Sequence, residues 1–275
     1  MTDVDFAPVF QEAAQAIAEA DALLVGAGAG MGVDSGLPDF RGPEGFWKAY
    51  PPFRGKQFHE ISNPRWFRED PEMAWGFFGH RLNLYRDAEP HAGFALLKQW
   101  AEAKPAGYFV FTSNVDGQFQ KAGFPEERVF ECHGSICHLQ CAAPCQDKIW
   151  PARDLQVEVD LEAVRATSEL PRCPECGALA RPNVLMFDDW KWKENRSQQQ
   201  QERYLRWLYQ MEGSAKVVSI EMGAGRAIPT VRNECEKRGH TLIRINPRDC
   251  DAPSHGIPLP VGALAALQGI DQRLV

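Results

Sequence analysis

Four short apolar runs, each ending in a glycine-rich or polar turn, constrain the fold more than any other feature. These runs are residues 22–25, 108–111, 216–220 and 241–245. Apolar residues at helical spacing accompany them at 8–19, 91–103, 195–213 and 228–238. Buried strands alternating with helices predict an α/β fold with a doubly wound, mostly parallel, Rossmann-like sheet. Ligands of such sheets bind beyond the carboxyl ends of the strands, where the polar turns would meet.

Two stretches interrupt this alternation. Residues 43–80 are rich in aromatic residues and proline, which predicts a helical cover loop over the ligand. Residues 136–185 show little regular pattern and contain two close cysteine pairs. We therefore expect one sheet domain, formed by 1–135 and 186–275, with a small module inserted at 136–185.

The two cysteine pairs predict a metal site inside that module. The four residues are Cys141, Cys145, Cys173 and Cys176, and the second pair lies in a Cys-Pro-Glu-Cys-Gly sequence. Two short-spaced pairs separated by a longer stretch are typical of four thiolates around a tetrahedral zinc ion. A closed four-thiolate site is structural, since it has no open position for catalysis. The alternative is that these cysteines are buried thiols.

The net charge and the composition limit the classes of partner that the protein is expected to bind. The net charge of −7 argues against a protein that wraps nucleic acid, and it is compatible with a basic peptide partner. No apolar stretch is long enough to span a membrane, and the amino terminus lacks a signal sequence. We therefore expect no direct nucleic-acid or membrane binding and a cytoplasmic location.

The first glycine turn has the chemistry of a nucleotide loop. Gly28, Ala29 and Gly30 follow the first strand, where backbone N–H groups could approach a pyrophosphate, although a simple tight turn is an alternative. An ordinary dehydrogenase would place an acidic residue about twenty positions on, but position 50 is tyrosine. Phe40 and Arg41 follow instead, and they could stack on a ring and pair with a phosphate.

Several motifs together resemble the sirtuins, the silent-information-regulator family of NAD-dependent protein deacylases. The resemblance covers roughly residues 20–250. It rests on GAGMGVDSGLPDFR at 28–41, TSNVDG at 112–117, ECHGS at 131–135, the two cysteine pairs, and RPNV at 181–184.

The resemblance implies that NAD is consumed while an acyl group leaves a lysine of a protein or peptide, releasing nicotinamide and O-acyl-ADP-ribose. His133 would be the general base, Asn114 would hold the ribose, and Asp116 would bind the nicotinamide carboxamide. The implied cofactor-binding residues also include Gly28, Ala29, Gly30, Asp39, Phe40, Arg41, Ser113, Gly223, Ala224 and Asn246. The implied substrate-binding residues are Phe78, Arg81, Val184 and Phe187. The four paired cysteines would hold zinc.

Departures from the family pattern leave alternatives open. Gly32 replaces a serine that is usual in the family, and Ser113 replaces a usual glutamine. Asp188 stands where a glycine is usual, beside Phe187.

Phe78 replaces the tyrosine of a Tyr-x-x-Arg pair found in sirtuins that remove acidic acyl groups. We hypothesise that Arg81 still favours acidic acyl groups; the alternative is that it lies on a solvated helix face. An ADP-ribosyltransferase and a non-catalytic NAD or ADP-ribose sensor are the alternative functions.

Overall fold

The computed structural model describes residues 6–39, 42–143, 145, 147–213 and 215–274. The strands are β1 Ala22–Ala27, β2 Tyr108–Thr112, β3 Val129–Glu131, β4 Gly134–Cys141, β5 Ile149–Pro151, β6 Val159–Asp160, β7 Arg165–Ala166, β8 Ala180–Val184, β9 Val217–Met222, β10 Thr241–Ile245 and β11 Gly256–Leu259. The α-helices are α1 Ala7–Ala18, α2 Gly42–Ala49, α3 Phe58–Ile61, α4 Trp66–Glu69, α5 Pro71–Asp87, α6 Ala92–Glu102, α7 Gln118–Lys121, α8 Asn195–Met211, α9 Thr230–Arg238 and α10 Ala263–Asp271. Short 3₁₀ turns occur at Ala29–Ser35, Pro51–Phe53 and Glu126–Arg128.

A six-stranded sheet forms the centre of the molecule, in the order β11-β10-β9-β1-β2-β3. Every neighbouring pair is parallel, and Val25 of β1 lies opposite Val110 of β2 and Ile220 of β9. All residues of β1, β2 and β9 are buried, as expected for a parallel sheet covered on both faces. The predicted doubly wound α/β fold is confirmed.

Helices cover both faces of this sheet. On one face, α1, α6 and α10 bury residues such as Ile17, Leu97 and Leu267 against the sheet. On the other, α8 and α9 bury Tyr204 and Val231. Because the buried residues of each helix lie on the side that faces the sheet, water is excluded from the strands and their carboxyl ends are held in register.

The inserted module is built on an antiparallel sheet in the order β5-β4-β8. The predicted boundary at 135/136 falls inside β4, which continues directly from the main sheet. A second small hairpin, β6 and β7, packs against α5. Gly76 makes this contact possible, because a Cβ there would lie 2.1 Å from the carbonyl oxygen of Val164.

The predicted cover loop is more helical than expected. Four helices begin between residues 42 and 71, and α5 alone has 17 residues. Its apolar residues occur all around the helix, because aromatic side chains of the cover segment pack on one side and the module packs on the other. A helix buried on several sides lacks the one-sided pattern that marks a surface helix in a sequence. No described helix is long and apolar enough to cross a bilayer.

Candidate active site

A cavity of about 960 Å³ opens at the carboxyl ends of β1, β2 and β9. The glycine loop after β1 forms one side, and the turn after β9 forms another. His133 and the end of β8 complete it, with α5 at the back. The cavity therefore lies where a parallel sheet normally binds its ligand.

The two glycine turns pack backbone against backbone. The N–H of Gly28 donates to the Met222 carbonyl over 2.9 Å, and that of Gly30 donates to the Gly223 carbonyl over 3.1 Å. Gly223 has a φ of +60°, and a Cβ there would lie 2.4 Å from the Gly30 backbone. Because both N–H groups are bonded within the protein, these glycines hold the loops together rather than donating to a ligand.

Asn114 is fixed to the glycine loop. Its side-chain amide donates to the Gly28 carbonyl over 3.0 Å. Its backbone N–H donates to the hydroxyl of Thr112, which in turn donates to the Ala27 carbonyl over 2.9 Å. The end of β2 is thereby tied to the end of β1, and the Asn114 side chain is held at the cavity wall.

Asp116 lies in the same turn and also lines the cavity. One carboxylate oxygen accepts the backbone N–H of Gln118 over 2.9 Å. Burial raises the pKa of Asp116 to about 6; the Gln118 N–H opposes this shift, the nearby Glu131 carboxylate adds to it, and the Arg81 guanidinium opposes it. Gln118 also donates to the Tyr85 carbonyl over 2.9 Å, which anchors this turn to α5.

His133 faces the cavity from the segment between β3 and β4. Burial lowers the pKa of its imidazole, while a hydrogen bond with the Ser113 backbone opposes the shift. The imidazole is therefore held mainly neutral at neutral pH. Neutral imidazole is the form that accepts a proton, so the environment suits a general base.

Most predicted site residues converge on this cavity. Those that line it are Gly28, Ala29, Asp39, Arg81, Ser113, Asn114, Asp116, His133, Val184, Phe187, Gly223 and Ala224. Phe40 and Arg41 lie outside the described residues. Gly30, Phe78 and Asn246 are not part of the lining.

Two of those three residues are packed behind the cavity wall. Phe78 is 1% exposed, and its ring packs against those of Phe67 and Phe77. The fully buried Asn246 donates to the Ala224 carbonyl over 2.9 Å and accepts the backbone N–H groups of residues 248 and 249. Its described contacts position the turn after β9, while its predicted contact with a ribose remains a prediction.

Arg81 does not lie on a solvated helix face. It is 5% exposed, and its guanidinium carbon lies 5.3 to 5.9 Å from the ring centres of Phe58, Phe77, Phe78 and Tyr85. Its Nε donates to the Tyr85 hydroxyl over 3.0 Å. Tyr85 lies outside the predicted site residues, although a spacing of four residues places it beside Arg81 on a helix.

The four paired cysteines form a single cluster. Their Sγ atoms all lie within 4.8 Å of one another, and the pairs 141–176 and 145–173 are 3.6 and 3.7 Å apart. Tetrahedral zinc with Zn–S bonds of about 2.3 Å separates its sulfurs by about 3.8 Å. None of the chain's eight cysteines is disulfide-bonded. The predicted four-cysteine cluster is confirmed, and its geometry fits zinc.

The cavity at the strand ends and the inserted four-cysteine module, whose geometry fits zinc, together define a Rossmann-like α/β protein with a small module of metal-binding type. The model of the Sir2 family matches residues 28–217. This match spans more than half of the chain, and the protein belongs to the Sir2 family.

Curated relatives named NAD-dependent protein deacylase are similar over part of their length. The chain is 32% identical over 180 residues to that of Pyrococcus furiosus, covering 65% of each chain. It is 35% identical over 179 residues to the NAD-dependent protein deacylase of Thermococcus kodakarensis, and the match covers 64% of this chain and 63% of the relative. The chain thus spans slightly less than two thirds of these two proteins. NAD-dependent protein deacylase 1 of Archaeoglobus fulgidus is 29% identical over 234 residues, covering 84% and 83%.

Solved structures share the whole fold. A mutant Sir2 homologue in complex with ADP-ribose has a TM-score of 0.69 and 25% identity, covering 96% of this chain and 95% of that one. A Sir2 homologue–NAD complex has the same TM-score of 0.69 at 24% identity, covering 96% and 93%. At that identity the second comparison supports the fold alone.

Proposed function

We propose that this protein removes acyl groups from lysine side chains in a reaction that consumes NAD and releases nicotinamide and O-acyl-ADP-ribose. The observation that carries the proposal is the convergence of His133, Asn114 and Asp116 on one cavity. The names of the curated relatives support the reaction class. The ADP-ribose complex of a related structure supports the cofactor.

In this proposal His133 acts as the general base. The acyl oxygen of the substrate bonds to the anomeric carbon of the nicotinamide ribose, and the bond to nicotinamide breaks. His133 would then take a proton from a ribose hydroxyl, which attacks the acyl carbon. The lysine would leave as a protonated amine, and a water molecule would add to the acyl carbon, so that the acyl group remains on the ribose as an ester. A buried imidazole with a lowered pKa is neutral and ready to accept that proton.

Asn114 and Asp116 orient the cofactor. The Asn114 amide is already fixed by the Gly28 carbonyl, so it can meet the ribose without a large loss of conformational freedom. Asp116 lies at the depth of the cavity beside Arg81, where its carboxyl group can bind the nicotinamide carboxamide. Holding that amide favours departure of nicotinamide, since the leaving group is kept in a fixed orientation.

Zinc would be held by Cys141, Cys145, Cys173 and Cys176, where it cross-links the module. It has no role in the chemical steps, because four thiolates leave no open coordination position. Cysteines kept as metal ligands are typical of a reducing compartment, so we place the protein in the cytoplasm.

Arg81 gives the cavity a preference for acidic acyl groups. Its guanidinium is held in an aromatic surround and lines the cavity, so an acyl carboxylate would meet a desolvated positive charge. The Tyr85 hydroxyl, on the next turn of α5, supports Arg81 in place of the tyrosine that position 78 lacks.

One assay tests the reaction. The protein is incubated with NAD and acyl-lysine peptides, and free nicotinamide and deacylated peptide are measured together. Equal release of both supports deacylation. Nicotinamide release with label retained on a protein would indicate ADP-ribosyl transfer, and release of neither would indicate a sensor. The His133→Ala variant should lose deacylation, whereas His255→Ala, an exposed histidine away from the cavity, should retain it.

A further inference from the structure

Asp188 has a strained backbone and directly follows Phe187, which lines the cavity. Its φ is +58°, a left-handed conformation that disfavours residues with a side chain. Aspartate and asparagine are the non-glycine residues that adopt it most often, yet glycine would adopt it without cost. An exposed carboxylate kept at a strained position suggests that the charge has a use.

The neighbouring contacts fix where this carboxylate points. The N–H of Phe187, a cavity-lining residue, donates to the Ser62 carbonyl over 2.9 Å. The side-chain amide of Asn63 donates to the Asp188 carboxylate over 3.2 Å. These two bonds join the segment after β8 to the cover segment, and they hold the exposed Asp188 next to the cavity-lining Phe187.

Two exposed apolar residues identify the mouth of the cavity. Leu185 is 38% exposed and Ile228 is 46% exposed, and both line the cavity. Large apolar side chains that are both cavity-lining and exposed are suited to cover a bound chain. Leu185 lies three residues from Asp188, so a chain crossing this mouth passes close to its carboxylate.

Asp188 differs in its pairing from the other charged side chains near the mouth. Arg226 pairs with Asp249 and Asp251, and Arg248 pairs with Asp39 over 3.5 Å. Among the described residues, Asp188 has no basic ion-pair partner, and its described hydrogen bond comes from a neutral amide. The Asp188 carboxylate therefore adds a negative charge beside the cavity that the described basic side chains leave unmatched.

Arg65 does not neutralise Asp188. It is two residues from Asn63, but its guanidinium stacks over the Trp66 ring at 4.5 Å. The Asp188 carboxylate is therefore available to a positively charged ligand.

We propose that Asp188 makes the cavity mouth select acyl-lysine peptides that carry a lysine or arginine close to the acylated residue. This inference rests on the proposed deacylase function, since it names the peptide class for that site. An acidic flanking residue would be disfavoured by the same carboxylate.

The test compares three fluorescent acyl-lysine peptides that differ only in their flanking residues, which are lysine, alanine or glutamate. Peptide affinity is measured by anisotropy with the full chain, with and without ADP-ribose. We expect the lysine-flanked peptide to bind about 2- to 5-fold tighter than the alanine-flanked peptide, and the glutamate-flanked peptide to bind weaker by a similar factor. The differences should shrink in 0.5 M salt, since added ions screen exposed charges.

Two variants isolate the charge. Asp188→Asn keeps the shape and tolerates the left-handed backbone, and Asp188→Gly removes both charge and strain. Both should reduce the ratio between lysine- and glutamate-flanked peptides. Glu162→Gln, which removes an exposed carboxylate between β6 and β7, should leave the ratio unchanged.

The outcomes separate this inference from the proposed function. Equal affinities in the unaltered protein, an unchanged ratio in Asp188→Asn, or no peptide binding at all would overturn the selection by Asp188. Charge-dependent binding without nicotinamide release from NAD would uphold the selection and reject deacylation. Nicotinamide release that is equal for all three peptides, with equal affinities, would uphold deacylation alone.

Discussion

The hydroxyl of Tyr85 accepts a hydrogen bond of 3.0 Å from Nε of Arg81, and both side chains line the cavity that contains His133. Burial raises the pKa of Tyr85, so the hydroxyl stays neutral at physiological pH. The Tyr85 hydroxyl therefore fixes the Arg81 guanidinium at the back of the cavity, where the acyl group of a substrate would end.

Removing the Arg81 charge should change acyl selectivity. We expect Arg81→Met to lower kcat/KM for succinyl-lysine peptide about tenfold relative to acetyl-lysine peptide, because a charge-assisted hydrogen bond is lost. Tyr85→Phe should give a smaller change in the same direction. Arg68→Met, at an exposed position, is the control. Acetyl peptide turned over faster than succinyl peptide by the unaltered protein, with no change in Arg81→Met, would contradict the role of Arg81.

Asp116 should reduce the stability of the fold while serving the site. Its pKa is about 6 when folded, compared with 3.8 for the unperturbed group. The unfolded chain therefore releases this proton first, and stability falls as pH rises from the lower value to the higher one. Asp116→Asn should raise the free energy of unfolding by about 1–2 kcal/mol at pH 8.

The gain in the free energy of unfolding should be smaller at pH 5, because Asp116 destabilises the folded protein less at that pH than at pH 8. Urea unfolding at the two pH values measures this difference. The same variant should lose nicotinamide release. If the variant were less stable than the unaltered protein at pH 8, the Asp116 carboxylate would not be destabilising the folded protein.

The acid limb of the pH profile should reflect His133 and Asp116 together. The pKa of the histidine is lowered from 6.5 by burial, and that of the aspartate is about 6. Activity should therefore fall as pH drops, because Asp116 gains a proton near pH 6 and His133 gains one below its ordinary pKa of 6.5. A profile of kcat/KM from pH 5 to 8 reports this limb. A limb centred above pH 7 would be inconsistent with a buried imidazole as the base.

Loss of one metal ligand should unfold the module. Cys173→Ser is expected to lose bound zinc, measured by elemental analysis, and to lower Tm, because the metal holds segments that the small β-sheet alone does not. Cys250→Ser, at a cysteine outside the cluster, should retain both metal and Tm. Full zinc content in the Cys173→Ser protein would show that three thiolates suffice.

The contact between α5 and the module hairpin should tolerate no added methyl group. A Cβ at Gly76 would lie 2.1 Å from the Val164 carbonyl oxygen, which is backbone and cannot rotate away. Gly76→Ala should destabilise the protein by about 1–3 kcal/mol in urea unfolding. Gly225→Ala, at a position with no atom within 4 Å of the added Cβ, serves as the control. Equal stability of the two variants would argue against the contact.

The main sheet could be predicted because each central strand is a mostly apolar run that ends in a turn. The run 241–245 coincides with β10, and 22–25 lies within β1. The edge strands β3 and β11 escaped prediction, since they have only 3 and 4 residues and β11 contains a proline. Short segments carry too little pattern to be separated from loops.

The convergence of the predicted residues on one cavity follows their motifs. His133, Asn114 and Asp116 lie in contiguous motifs, and the structure brings them to one cavity. Tyr85 lies outside any motif, so only the helical geometry of α5 reveals its bond to Arg81. The left-handed backbone of Asp188 likewise depends on contacts with residues more than 120 positions away, which no local pattern encodes.

The middle of the main sheet joins β1 to β9, strands that begin at residues 22 and 217. During synthesis the ribosome must therefore deliver most of the polypeptide before β1 acquires its second neighbour. Until then one hydrogen-bonding edge of a wholly apolar strand is uncovered, which is the kind of nascent intermediate that associates with other chains. Recovery of folded protein after expression should accordingly depend on chaperone supply more strongly than the stability of the finished sheet would indicate.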